Sequence, residues 1–280
     1  MRTHPLRTAL TCASSDSGAG AGIQADLKTF AAHGVYGFSA LAGVTAQNTR
    51  EVLDAFYLPP ELLRAQLQAV WSDFDLGGVK IGLLGTRDNA QVVLDFIERK
   101  LSPELPVVLD PVMCSASGHV FLDEEAFRAV LRLFPRALLV TPNLFEAEAV
   151  VGRKIEGFRG FPEAAAKIRD LGARNVLIKG GHLEGEPRDY LLLEDGSDFF
   201  FDGERIPTRD DHGTGCTLSS AILSRLVRGC DLQTSVKLAK LYTAEAMRRA
   251  PGLGRGRGPL HHFHQFYEFE KDRSEPSEGG

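Results

Sequence analysis

The sequence predicts an α/β fold in which a mostly parallel central sheet carries helices on both faces. Short apolar runs of strand length alternate with longer stretches whose apolar residues recur at helical spacing. Several of those runs end in polar residues: Asp110 after Val107-Val108-Leu109, Thr141-Pro142-Asn143 after Leu138-Leu139-Val140, and Lys179 after Val176-Leu177-Ile178. In open α/β sheets ligands bind beyond the carboxyl ends of the strands, so these residues mark one edge as a site.

Taken in order, strands are expected near residues 6–12, 36–45, 51–57, 78–82, 106–110, 137–141 and 174–179. Helices are expected over 20–33, 60–74, 88–100, 123–134, 144–151, 161–171, 214–229 and 232–249. Pro59-Pro60 suits the start of the second helix, because proline is tolerated in a first turn. Between Asp189 and Phe201, two short strands flank Asp195-Gly196, which predicts a hairpin with a type I′ turn. No Pro/Ser-rich linker interrupts the alternation, so residues 1–270 read as one domain. The polar, charged stretch 271–280 reads as a disordered tail.

With 280 residues, 43% of them apolar, the chain can bury a sizeable core. A net charge of −5 argues against nucleic acid as the main partner, since phosphate backbones demand clustered Lys and Arg. Four cysteines without a CxxC spacing argue against a zinc site or a disulfide scaffold and for a reduced, cytoplasmic protein. No apolar run approaches the ~18 residues of a membrane span, and no secretion signal is evident.

Two glycine-rich turns carry the chemistry. In His212-Gly213-Thr214-Gly215-Cys216, the glycines let backbone N–H groups converge, and the apolar spacing from Leu218 places them at a helix start. A helix N-terminus attracts anions such as phosphate. A thiol on that turn is expected to have a lowered pKa and to serve as a base. The second turn, Ser17 to Gly22, joins a strand to a helix. It fits neither a dinucleotide fingerprint, because Ile23 stands where Gly or Ala belongs, nor a P-loop, since no GxxxxGK[ST] occurs. Its small residues, Gly20 among them, are expected to admit a ligand's ring or hydroxyl.

Seven blocks occur in one order with the His212–Cys216 turn: Asp16-Ser17-Gly18 through Gly22-Ile23-Gln24-Ala25-Asp26-Leu27-Lys28, Gln47-Asn48-Thr49, Val79-Lys80-Ile81-Gly82, Leu109-Asp110-Pro111-Val112-Met113, Thr141-Pro142-Asn143-x-x-Glu146, Lys179-Gly180-Gly181-His182, and Gly258-Pro259-Leu260-His261-His262-Phe263-His264. The set resembles the hydroxymethylpyrimidine/phosphomethylpyrimidine kinases of thiamin biosynthesis, in the ribokinase-like superfamily, from about residue 8 to about residue 266. The resemblance implies a ribokinase-like fold, ATP and Mg²⁺ as cofactors, a small pyrimidine substrate and a homodimer.

It also implies roles. Cys216 takes the proton of the substrate hydroxymethyl as that oxygen attacks the γ-phosphate, while the amides of Gly213, Thr214 and Gly215 hold the developing oxyanion. Glu146 and Asp110 position magnesium; Lys179, Asn143 and Thr214 hold ATP. Asn143 and Glu146 are expected to share a helix face and reach the same triphosphate. Gln47 offers a donor and an acceptor to the aminopyrimidine, and Asp26 is expected to face the substrate or phosphates.

Other residues read differently. Asp211 is a rival base. His261, His262 and His264 read as residues docking the C-terminal segment rather than a metal cluster, and Met113 and Trp71 as core. Three departures stand against the resemblance: Ser14 for a glycine, Ala116 for a phosphate-touching lysine, and Asp211 for a threonine. The alternatives are a pyridoxine or pyridoxal kinase, whose ring also presents a hydroxymethyl, and a non-catalytic pyrimidine-binding regulator.

Overall fold

The computed structural model describes residues 6–115, 118–183 and 185–269. The strands are β1 (Thr8–Asp16), β2 (Tyr36–Gln47), β3 (Val52–Tyr57), β4 (Val79–Ile81), β5 (Val107–Leu109), β6 (Leu139–Val140), β7 (Asn175–Ile178), β8 (Arg188–Leu192) and β9 (Asp198–Asp202). They form one sheet in the order β3-β2-β1-β4-β5-β6-β7-β8-β9. From β2 to β7 the neighbours are parallel, while β3, β8 and β9 join antiparallel at the two ends.

The helices are α1 (Gly22–Ala32), α2 (Pro60–Asp73), α3 (Arg87–Lys100), α4 (Glu124–Leu131), α5 (Leu144–Val151), α6 (Phe161–Asp170), α7 (Thr214–Val227) and α8 (Leu232–Arg248). Strand side chains alternate between faces, which splits the core in two. Leu10, Ile81, Leu109 and Ile178 pack with α2, α3, α4 and α6; Ala9, Val108, Leu139 and Leu177 pack with α1, α7 and α8. Both faces are therefore covered, as parallel sheets require. Trp71 packs edge-on against Phe96 at the rim of the first core, with Met113 also partly buried there.

The elements depart from expectation where local chemistry overrides periodicity. Strand β1 runs on to Asp16, paired with β2 through a shift in register between Ala13 and Ser15. Helix α1 starts two residues late, because the Asp16 carboxylate binds the N–H groups of Gly18, Gly20 and Ala21 first. Helix α4 stops at Leu131, and a 3₁₀ turn containing Pro135 follows, since proline has no N–H to continue the ladder. The β8–β9 hairpin is present, but its turn is not type I′. Asp195 is not left-handed; Gly196 alone takes a positive φ of 88° there and donates its N–H to Leu193. Residues 271–280 and Ala116 lie outside the described residues.

The chain runs from β1 outward to β2 and β3, then returns to β4 on the other side of β1. This reversal opens a crevice at the carboxyl ends of the strands, the usual ligand position of such sheets.

Candidate active site

A cavity of about 1400 Å³ occupies that crevice, and residues from β1, β2, β4, α5, α7 and α8 and the loops between them line it. Asp16 organises one side. Its Oδ1 accepts from Gly18 N–H (2.8 Å), its Oδ2 from Gly20 (3.1 Å) and Ala21 (2.9 Å), and His212 Nε2 lies 2.7 Å from Oδ2. Those bonds hold the Asp16 carboxyl below its usual range, against the opposing effect of burial. Gln47 lines the cavity; its Nε2 is 3.3 Å from His212 Nε2 and its Oε1 accepts from Thr45 Oγ1 at 3.2 Å. Gly20 is packed under His212: a Cβ there would collide with the imidazole ring. It is absent from the cavity lining, so its expected contact with substrate is corrected to a close approach between two loops.

The opposite side is built by strand ends. Lys179 Nζ lies 2.7 Å from Asp110 Oδ1 and 4.0 Å from Glu146 Oε2. Asp110 also accepts from Thr141 Oγ1 at 3.1 Å. Burial works against the Lys179 ammonium, but Asp110 and Glu146 outweigh it and raise its pKa. Burial pushes the Glu146 carboxyl up, Lys179 pulls it back, and the Asp110 charge raises it further. Two carboxylates facing one lysine leave an excess of negative charge, which a cation would relieve.

Asn143 and Glu146 do not reach outward together as expected. They form a capping box: Asn143 Oδ1 accepts from Glu146 N–H (2.9 Å), and Glu146 Oε2 accepts from Asn143 N–H (2.7 Å). The motif first fixes the start of α5, and through it the Glu146 carboxylate.

Helix α7 begins at Thr214 with Gly213 at its N-cap, left-handed at φ 85° and without a side-chain cap. Gly215 faces the charge cluster so closely that a Cβ would stand 3.2 Å from Lys179 Nζ and 3.5 Å from Asp110 Oδ2. The helix start therefore converges on the same spot as Lys179 and Asp110. Cys216 lines the cavity. Its expected low pKa is corrected: burial pushes the thiol up to about 11, Lys80 lowers it, and Asp26 and Asp110 raise it. A backbone bond from Gly22 also lowers it, but desolvation outweighs both lowering effects.

Asp26 is also corrected. It is fully buried, where it accepts from Thr11 Oγ1 (2.6 Å), Lys80 Nζ (2.9 Å) and Ser220 Oγ (2.7 Å). It does not line the cavity; its partner Lys80 does. Asp211 is held by Arg257, with Nε at 2.6 Å and Nη2 at 2.5 Å, so the rival base is already engaged. Ser14, the departure on β1, is buried and donates to Leu83 O at 3.0 Å. The three histidines are committed elsewhere: His262 Nε2 lies 3.0 Å from Thr217 Oγ1, His264 Nδ1 3.0 Å from His261 O, and His261 Nε2 2.8 Å from Tyr267 O. Among the described residues no group of three or more His, Cys, Asp or Glu is placed to hold a metal.

Sequence reasoning gave no role to His212, Asp16, Lys80 or Arg257, although the first three stand inside its motifs. It also missed the far end of the cavity, where Ile206, Pro207, Leu241, Ala244 and Met247 supply an apolar wall. Those residues are scattered through loops and one helix face and carry no local signature.

Residues 16–261 match the family model for phosphomethylpyrimidine kinase. The chain belongs to that family. It is 45% identical over 272 residues to a hydroxymethylpyrimidine/phosphomethylpyrimidine kinase of Rhizobium meliloti, covering 93% of this chain and 98% of that one. The phosphomethylpyrimidine kinase of Clostridium difficile is 38% identical, with a TM-score of 0.75 over 86% of this chain and 99% of that one. The pyridoxal kinase of Bacillus subtilis, solved as an ADP complex, is 34% identical, with a TM-score of 0.85 over 93% of this chain and 99% of that one. This member of the phosphomethylpyrimidine kinase family has the ribokinase-like fold and is a phosphotransferase of thiamin biosynthesis.

Proposed function

We propose that residues 1–270 act as one kinase domain that transfers the γ-phosphate of ATP to 4-amino-5-hydroxymethyl-2-methylpyrimidine, then phosphorylates the monophosphate to the diphosphate. The observation that carries this reading is the convergence of the α7 start with Lys179 and Asp110, in one cavity with Gln47. Amides at Gly213, Thr214 and Gly215 take the charge that spreads over the transferring group, which positioning and electrostatics alone can stabilise. Lys179 holds the phosphates as a point charge, Asn143 sets the α5 start beneath them, and the apolar wall takes the nucleoside.

Asp110 and Glu146 suit a magnesium ion that arrives with the nucleotide: two carboxylates and phosphate oxygens hold it without a protein cage. When bound, the ion neutralises charge on the β- and γ-phosphates. Gln47 pairs with the ring nitrogen and exocyclic amine of the pyrimidine. Cys216 accepts the hydroxymethyl proton as its thiolate. A pKa of about 11 leaves the thiol as the resting form, so turnover rises with pH by up to ~10-fold per unit between pH 7 and 9.

Exposed Leu53 and Phe56 on edge strand β3 favour a homodimer. Among the described residues no helix is long and apolar enough to cross a membrane, and a cytoplasmic location goes with the free cysteines. The likeness to a pyridoxal kinase favours pyridoxal as the second reading. An acceptor panel separates them: the pyrimidine alcohol should give the higher kcat/KM, and Gln47→Leu should lower it by ~10–100-fold, the cost of an unpaired polar group. A wild-type preference for pyridoxal would replace this reading, and phosphorylation of no acceptor would favour the regulator.

A further inference from the structure

If one site phosphorylates an alcohol and then the phosphate it has made, it needs a cation for the second acceptor that the first does not use. Most cations lining the cavity are already committed. Lys80 is enclosed with Asp26, Lys179 sits between Asp110 and Glu146, and Lys240 is 2.5 Å from the buried Asp189 carboxylate. Arg248 pairs with Glu204 and Glu245, and Arg205 is turned to the backbone carbonyls of Leu183 and Gly185.

Arg257 differs in place and in partner. Its N–H donates to Thr49 O (2.7 Å), two residues beyond Gln47, and the N–H of Gly256 donates to Thr49 Oγ1 (3.1 Å). The next residue, Gly258, accepts from His212 N–H at 3.0 Å. The arginine is thus anchored to the acceptor turn on one side and to the glycine-rich loop on the other. Its guanidinium is held by Asp211, immediately before that loop, with side chains 43% and 29% exposed.

We propose that Arg257 recognises the phosphate of the monophosphorylated acceptor, exchanging Asp211 for that phosphate in the second phosphorylation only. The inference rests on the two-step activity proposed above. The exchange trades two parallel charge-assisted bonds to a carboxylate for two to a phosphate dianion, whose greater charge favours the phosphate. Asp211 parks the cation while the neutral alcohol is bound and masks a charge that would otherwise draw free phosphate to the acceptor side.

The test measures kcat/KM for the pyrimidine alcohol and for its monophosphate, and calorimetric Kd for both without ATP, in wild type, Arg257→Gln and Asp211→Asn. Arg257→Gln should lower the ratio of monophosphate to alcohol kcat/KM at least ~10-fold and weaken monophosphate binding in parallel. Asp211→Asn should shift the ratio the other way, by removing the carboxylate that competes with the phosphate. Equal losses on both acceptors, or no loss on either, would overturn the assignment. A wild-type protein that binds and phosphorylates neither compound would instead remove the two-step activity on which it rests.

Discussion

Two Asp–Lys pairs lie beneath the cavity, and they use the same charges for opposite ends. Asp26 and Lys80 are 2.9 Å apart with side chains 0% exposed, and Thr11 and Ser220 complete the Asp26 carboxylate. Asp110 and Lys179 are 2.7 Å apart, but a second carboxylate, Glu146, stands 4.0 Å from the same ammonium, and Gly215 leaves the pair open to the cavity. The first pair is buried and satisfied, although Lys80 also borders the cavity. The second carries surplus charge toward an open space, which is the condition of a binding site rather than of a strut.

Breaking the buried pair should produce the largest effect. Lys80→Met leaves an uncompensated buried carboxylate, at ~3–5 kcal/mol, and should lower the melting temperature by ~10 °C. Adding Asp26→Leu should recover part of that loss, because it removes the unpaired charge but leaves the buried Thr11 and Ser220 hydroxyls without their acceptor. A melting temperature within 2 °C of wild type for Lys80→Met alone, on the order of ~1 kcal/mol at most, would dissolve the distinction.

The open pair should fail in the other direction. Glu146→Gln keeps the capping box, since Gln can also accept at that position, but removes a charge. Turnover should fall by ~10²-fold, with a higher magnesium requirement. Stability should not suffer. The Glu146 carboxyl is raised above its unfolded value, so its contribution is fully present at low pH and is lost as pH rises through the folded value. The variant escapes that loss and should melt at or above the wild-type temperature at pH 8. A normal magnesium titration at normal rate would make Glu146 a capping residue only.

A smaller effect, distant from both pairs, calibrates the comparison. Burial lowers His33 to about 4 and His262 to about 3, from an ordinary value of 6.5. The unfolded chain therefore binds more protons than the folded one below pH 6.5, and stability should fall on acidification by up to ~1.4 kcal/mol per unit for each histidine. In Glu146→Gln, which lacks the opposing carboxyl titration, melting curves at pH 7 and pH 5 should show that loss in full. A flat profile would mean that neither histidine is buried neutral.

The sheet was legible in the sequence because burial on both faces forces continuous apolar runs, and the polar residue ending each run marked the crevice. The boundaries were not. Asp16 captures three amides that periodicity assigns to α1, and Pro135 cuts α4 short. Lys179 and Asp110 meet as their strand-end positions suggested, and the capped start of α5 brings Glu146 to them. The errors lay in properties set by three-dimensional surroundings: burial raises the Cys216 thiol, and Asp26 turns inward to Lys80, a residue 54 positions away. A local motif shows which groups are close along the chain, not which side of a helix is dry.

The most direct measurement follows product formation and melting together in Lys179→Met. Wild type incubated with ATP, magnesium and the pyrimidine alcohol should yield the monophosphate and then the diphosphate, each resolved by phosphorus NMR. Lys179→Met should lose less melting temperature than Lys80→Met, because Glu146 can take up a proton beside Asp110 whereas Asp26 has no second acid, yet form product at least ~10²-fold more slowly. Product formation at the wild-type rate by Lys179→Met, or a melting temperature lowered as far as that of Lys80→Met, would contradict the division between a pair that holds the fold and a pair that does the chemistry.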